Sequence, residues 1–241
     1  MPTAVVIDGA FFLRRFSSAF PNLDARDADD IAFGVIAMAA YHVAVRVQAS
    51  PAMQITDQSQ FRPEESGELY RILFYDCPPL TKRVHTPIGK RAITLARTPE
   101  ALLRVAVHDR LHATRKVAVR LGRLNDKMNP WRLKPGAVDR WQKDGFALQD
   151  DDFELDTIQK GVDMRLGLDI AAMAYKRQVD QIILVAADAD FVPAVKLARR
   201  EGIDVVLDTM QANAAPDLLQ HVDGTRSCRL TLNSRSRNVQ S

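Results

Sequence analysis

Five aspartates in this sequence stand where carboxylates can do chemistry. Asp188 and Asp190 lie one residue apart in "LVAADADF", just after the apolar run from Ile182 to Ala187. Asp8 closes "AVVID", Asp76 closes "YRILFYD", and Asp163 closes "KGVD" ahead of a helical segment. Like charges so close repel unless water screens them or a cation lies between. If Asp8, Asp163, Asp188 and Asp190 converge, their hard oxygen donors suit Mg²⁺ or Mn²⁺. No thiolate or imidazole stands beside these four in the sequence, which disfavours zinc. An ion held this way activates water and neutralises charge on a phosphoryl group. The competing reading makes these residues helix caps and turn formers. Asp163 and Asp188 both stand where N-caps or first-turn acids are favoured.

The elements that must position these acids alternate along the chain. Residues 4–8 and 70–76 read as strands, and 27–48, Ala-rich with acids in its first turn, reads as a helix. Residues 50–68 are polar and hold Pro and Gly, hence a loop. Residues 98–122 open with "TP" and run to Gly122 without another Gly or Pro, which predicts one long helix. Leu102, Val105, Ala106, Leu111, Val117 and Leu121 are its expected apolar stripe. Residues 123–152 read as irregular. A helix over 160–178, a strand over 181–187, a helix over 190–201, a strand over 203–207 and a short helix near 215–222 complete the pattern. Such alternation argues for an α/β sandwich with a mainly parallel sheet. Ligands bind such sheets beyond the carboxyl ends of the strands, where Asp8, Asp76, Asp188 and Asp208 are expected.

Composition bounds the rest. The 241 residues are 46% hydrophobic and 26% charged, as in an ordinary globular domain. No apolar run reaches the ~18 residues of a membrane span. The first strand begins at once, so no signal peptide is expected. Two cysteines, Cys77 and Cys228, suit a reducing cytoplasm. Net charge is +3, but residues 82–134 hold fourteen Lys and Arg against Glu100, Asp109 and Asp126. A basic segment on an acidic body suggests a polyanionic partner; a solvated charged face is the plainer reading.

"VVIDGAF", "RILFYD", "KGVD" and "ILVAADADFVPAVKLARREG", in this order and spacing, resemble the NYN domain of the LabA-like branch, a relative of PIN nucleases. The resemblance covers most of residues 4–210. It implies a PIN-like three-layer α/β/α sandwich and an Mg²⁺- or Mn²⁺-dependent endoribonuclease acting in the cytoplasm on RNA, expected to be single-stranded. Asp8, Asp163, Asp188 and Asp190 are then both catalytic and metal-binding, and Asp76 is an additional acid. One domain is expected over 1–230, with a basic helical insertion at about 82–134 and a disordered tail over 231–241. Lys82, Arg83, Lys90, Arg91, Arg104, Arg115 and Arg120 are the expected RNA-binding residues. No membrane partner is expected, and a homo-oligomer stays open. The sequence departs from the family pattern at Phe11, where an Asn is usual, and at Ala186, Ala187 and Ala189. An amide and two hydroxyls are thereby absent. This keeps a second reading open: an RNA-binding or regulatory protein with weak or no catalysis. A metal-dependent phosphatase or DNA nuclease is a third.

Other features invite chemistry less. "HDRLH" places His108 and His112 four residues apart, like a zinc motif. Asp109 is shorter than the usual Glu, no third ligand suggests itself, and arginines surround the pair, so both are expected to face solvent or RNA. Trp131, Trp141 and Phe146 read as loop anchors or as stacking surfaces for bases. Phe191 is expected in the core, fixing the acidic loop, and Cys77 is expected to be buried. Ala10 replaces the second acid that a haloacid-dehalogenase-type phosphatase needs.

Overall fold

Strands that are apolar on both faces belong to a parallel sheet covered on both sides. The computed structural model, which describes residues 2–47, 69–124, 130–145, 147–157 and 159–232, builds such a sheet. In chain order the elements are β1 (Thr3–Asp8), α1 (Gly9–Ala19), α2 (Ala28–Val47), β2 (Leu69–Asp76), β3 (Arg83–His85), β4 (Ala92–Thr94), α3 (Pro99–His112), β5 (Val117–Leu121), β6 (Arg123–Leu124), β7 (Trp131–Leu133), α4 (Pro135–Asp144), β8 (Phe153–Leu155), β9 (Gln159–Lys160), α5 (Val162–Tyr175), β10 (Gln181–Val185), α6 (Val192–Arg200), β11 (Asp204–Asp208), α7 (Pro216–His221) and β12 (Gly224–Thr225). Six of these strands form one parallel sheet in the order β12–β11–β10–β1–β2–β5. The ribbons β3–β4, β6–β9 and β7–β8 are antiparallel.

Side chains alternate across each strand, so the sheet feeds two cores. Val5, Ile7, Ile72 and Phe74 pack with α1, α2 and Val107 and Leu111 of α3. Ala4, Val6, Leu73 and Tyr75 pack on the other side with α5, α6 and Leu218 of α7. The result is the expected three-layer α/β/α architecture.

The long helix expected over 98–122 is two elements. It ends at His112, and Val117–Leu121 instead pairs with β2 as a sheet strand. Lys116 takes a left-handed φ of 63°, which breaks the helix, and the β-branched "VAVRL" suits a strand. The buried face of α3 is Ala101, Val107, His108 and Leu111, whereas Leu102 is 57% exposed and Val105 is also exposed. Within 82–134 only α3 is a long helix among the described residues. The stretch read as irregular contains α4 and parts of two ribbons, and α1 is a helix that the sequence reading omits. The loop over 50–68, Phe146 and the tail from residue 233 lie outside the described residues.

Two strand-end aspartates are fully buried. Asp208 closes β11 and its Oδ2 lies 2.9 Å from His42 Nε2 on α2. It also accepts the Met210 and Cys228 N–H groups. His42 Nδ1 has no hydrogen-bond partner among the described residues. Removing one member of a buried pair strands the other without water. The substitution His42→Ala is therefore expected to cost about 3 kcal/mol or more in urea unfolding. His112→Ala, at an exposed position, is expected to leave the midpoint unchanged.

Candidate active site

β1 lies between β10 and β2, so the chain leaves it in one direction across the sheet and returns on its other side. At such a switch point a crevice opens beyond the carboxyl ends of the strands. Asp8 is the last residue of β1 and caps α1: its Oδ1 accepts the Phe11 N–H at 3.1 Å. The next residue must be small. A Cβ on Gly9 would sit 2.7 Å from both the Phe74 ring and the Tyr75 carbonyl oxygen. Gly9 thus lets α1 start hard against β2, which fixes the Asp8 carboxylate at the crevice.

On the other side, β10 ends at Val185 and the chain passes through Ala186 and Ala187 to Asp188. Asp188 caps the 3₁₀ turn 189–191, accepting the Asp190 N–H at 3.3 Å. Phe191 is 1% exposed and pins this turn to the core, as expected. Asp163 stands in the first turn of α5. That helix start is brought in by a close backbone approach. A Cβ on Gly122 would lie 2.8 Å from the Lys160 carbonyl oxygen and 2.7 Å from a Val162 methyl.

The electrostatics tie the four acids together. Burial raises the Asp8 carboxyl above its ordinary value; the Phe11 N–H and the positive charge of Arg14 oppose this, and the charge of Asp163 adds to it. Burial also raises Asp163, followed by the negative charges of Asp190 and then Asp188. Asp163 is thus pushed up by Asp190 and Asp188 and in turn adds to the rise of Asp8. Among the described residues, no group of three His, Cys, Asp or Glu side chains stands ready to hold an ion. The donor set still fits Mg²⁺ or Mn²⁺, because all its atoms are hard oxygens and their mutual repulsion is a deficit of positive charge. Mg²⁺ in particular is commonly held by one or two carboxylates, with water and substrate phosphates completing its shell.

Asp76 is placed differently from these four. It is fully buried, with Oδ1 3.2 Å from Arg104 Nη1 and Oδ2 2.8 Å from His108 Nε2. His108 is thereby a buried partner of Asp76 rather than a solvent- or RNA-facing group, while His112 is exposed.

Three of the seven basic residues hold carboxylates, and a fourth stands at the opposite end of the sheet. Arg104 is held by Asp76, Arg120 by Asp169 at 3.1 Å, and Arg91 by Asp150 at 3.2 Å. Arg115 precedes β5 and so stands at the amino end of the parallel sheet, opposite the acids. Lys82, Arg83 and Lys90 follow the carboxyl end of β2, and Arg83 and Lys90 are exposed. Arg14, exposed on α1, is a cation that the sequence reading omits; its position six residues after Asp8 was the available signal. Trp131 anchors its ribbon, donating from Nε1 to the His85 carbonyl at 2.8 Å, whereas Trp141 is exposed. Cys77 is buried.

A carboxyl whose native pKa exceeds its unfolded value loses stability for the fold as pH rises through that interval. Asp8 and Asp163 are both of this kind, so each works against the fold at neutral pH. Asp163→Asn should therefore stabilise the protein at pH ~7 by about 0.5 kcal/mol, a size limited by solvent screening. The gain should vanish below pH ~4, where the wild-type carboxyl is protonated in both states. Urea unfolding of both proteins across this range measures it.

Among curated proteins none is significantly similar to the chain. A crystal structure of a protein of unknown function from Vibrio parahaemolyticus is similar over 94% of this chain and 91% of its own, with 16% identity and a TM-score of 0.41. The family model of the NYN domain matches residues 96–227, more than half of the chain. The matched part carries Asp163, Asp188 and Asp190, while β1 with Asp8 and β2 with Asp76 precede it. The chain belongs to the NYN domain family.

Proposed function

We propose that this NYN domain protein, of the LabA-like branch, is a divalent-metal-dependent endoribonuclease of the cytoplasm acting on single-stranded RNA. One observation carries the reading: Asp8, at the end of β1, and Asp188, just past the end of the neighbouring β10, flank the switch point of the sheet, where burial and then the charges of Asp190 and Asp188 raise Asp163. A fold gains nothing from unrelieved repulsion there, whereas a cation-binding site requires it. Asp8, Asp163, Asp188 and Asp190 would hold Mg²⁺ or Mn²⁺, which when bound supplies an activated water and offsets phosphate charge. The protein's own part is positioning. The Phe11 and Asp190 N–H groups fix the Asp8 and Asp188 carboxylates before substrate arrives. Two free, buried cysteines agree with a reducing compartment, and no helix among the described residues is long and apolar enough to cross a membrane.

The second reading, an RNA-binding protein without catalysis, draws on Phe11 and on the alanines at 186, 187 and 189. Incubation of the purified chain with RNA in Mg²⁺ or Mn²⁺ separates the two. Cleavage should appear, should stop in EDTA, and should fall about 100-fold or more in Asp188→Asn, the scale of removing one preorganised electrostatic group. Unchanged cutting in EDTA or by the variant would overturn the assignment; RNA binding without any cutting would favour the second reading.

Arg83 and Lys90 are proposed as phosphate-binding cations at the acidic edge. The variant Arg83→Glu, Lys90→Glu should weaken RNA of any sequence. It should lower the slope of log affinity against log salt by about 0.7 for each phosphate no longer neutralised. Arg115→Glu, at the far edge of the sheet, should leave that slope unchanged. Fluorescence anisotropy across a salt series reads both.

A further inference from the structure

A second concavity lies beside the acidic cleft, a groove of about 400 Å³ between α1, α3 and the loop that follows β2. That volume is within the range of small-molecule sites. Two of its lining residues lie on elements that also position the acids. Leu13 in its lining is five residues along α1 from Asp8, a rise of about 7.5 Å. Leu124, also in the lining, lies on β6, whose partner β9 leads through Gly161 into the turn that carries Asp163. The groove and the acids therefore occupy neighbouring places on one edge of the sheet.

The polar groups of the groove are specific. Arg104 lines it with its Nη1 fixed on Asp76, and Asp76 is itself held by His108. The guanidinium is thus pre-set, its remaining N–H donors unable to swing freely. Glu100, one helical turn before Arg104 and exposed, supplies carboxylate acceptors on the same lining. Leu13, Leu80 and Leu124 give apolar walls. Because Glu100 and Arg104 stand one turn apart on the same wall, a planar ligand with apolar faces that donates twice and then accepts along one edge fits this set. Guanine has that pattern, with acceptors at O6 and N7 and donors at N1–H and the 2-amino group. Adenine offers one exocyclic donor and lacks O6.

The geometry points to a guanine-binding subsite in this groove, which seats a base of the RNA strand whose phosphate lies at the acids. It rests on the ribonuclease reading of the neighbouring cleft, but it can be tested without cleavage. The full chain is titrated calorimetrically, in metal-free buffer, with the 5′-monophosphates of guanosine, inosine, adenosine, cytidine and uridine. Guanosine monophosphate should bind about tenfold tighter than the adenosine compound, the discrimination of a good bidentate base contact. Inosine monophosphate, which lacks the 2-amino group, should fall between them. Glu100→Gln, at an exposed position, should remove the preference of guanosine over inosine. Thr157→Trp, on the exposed rim, should block all five, with thermal unfolding checking that both variants fold.

Equal binding of all five nucleotides, no binding of guanosine monophosphate, or wild-type binding by Glu100→Gln would each overturn the subsite. RNA cleavage assayed in parallel separates the two readings. Cleavage without guanosine monophosphate binding sinks the subsite and leaves the ribonuclease. Guanosine monophosphate binding without cleavage keeps the subsite and sinks the ribonuclease.

Discussion

Four neighbouring strands of one parallel sheet each deliver an aspartate to the same edge, and the fold depends on how their repulsion is answered. In spatial order they are β11, β10, β1 and β2, with Asp208, Asp188, Asp8 and Asp76. The outer two are fully buried and each meets a histidine from a helix of the first layer: His42 for Asp208, His108 for Asp76. They act as bolts between sheet and helices. Among the described residues the inner two meet no histidine and cap the turns that follow them. The edge is thus neutral in its hydrogen bonding at the sides and electrostatically open at the centre, where α5 adds Asp163.

Close backbone contact keeps that centre small. Gly9 seats α1 against β2, and Gly122 seats the link after β5 against the start of α5. The acids come from three elements whose starts are fixed independently by these contacts and by the buried Phe191. Side-chain entropy is low where carboxylates already accept backbone N–H groups.

Much of this was legible in the sequence, for physical reasons that differ by element. β1, β2, β10 and β11 are short apolar runs ending in or just before aspartate, and burial on both faces writes that pattern directly. The positions of Asp8, Asp76 and Asp188 at or just past strand ends were legible by their place after such runs. The split between α3 and β5 was hidden because Lys116, not glycine, takes the left-handed turn. Leu102 and Val105 suggested a buried stripe, yet the face that packs includes His108, whose burial is possible only because Asp76 waits beneath it. The roles of Asp8 and Asp76 look identical in sequence; only the partners supplied by α3 distinguish them. The ion pairs of Arg91, Arg104 and Arg120 were hidden for a related reason, since charge composition does not say which arginines are already paired.

The order of pairing bears on how the protein is made. β1 is made before the other described elements, yet one of its two sheet neighbours is β10, about 180 residues later. Residues 226–232 lie later still. They return to the first layer, where Leu230 N–H reaches the Ala19 carbonyl and Cys228, Leu230 and Leu232 are buried. The earliest strand and helices must therefore wait, with apolar faces uncovered, until nearly all of the described chain has been synthesised. Contacts of such long sequence separation slow folding and prolong exposure to aggregation. The acidic cleft, assembled from both ends of this interval, cannot exist on a nascent chain that has not yet reached β10 and the turn after it.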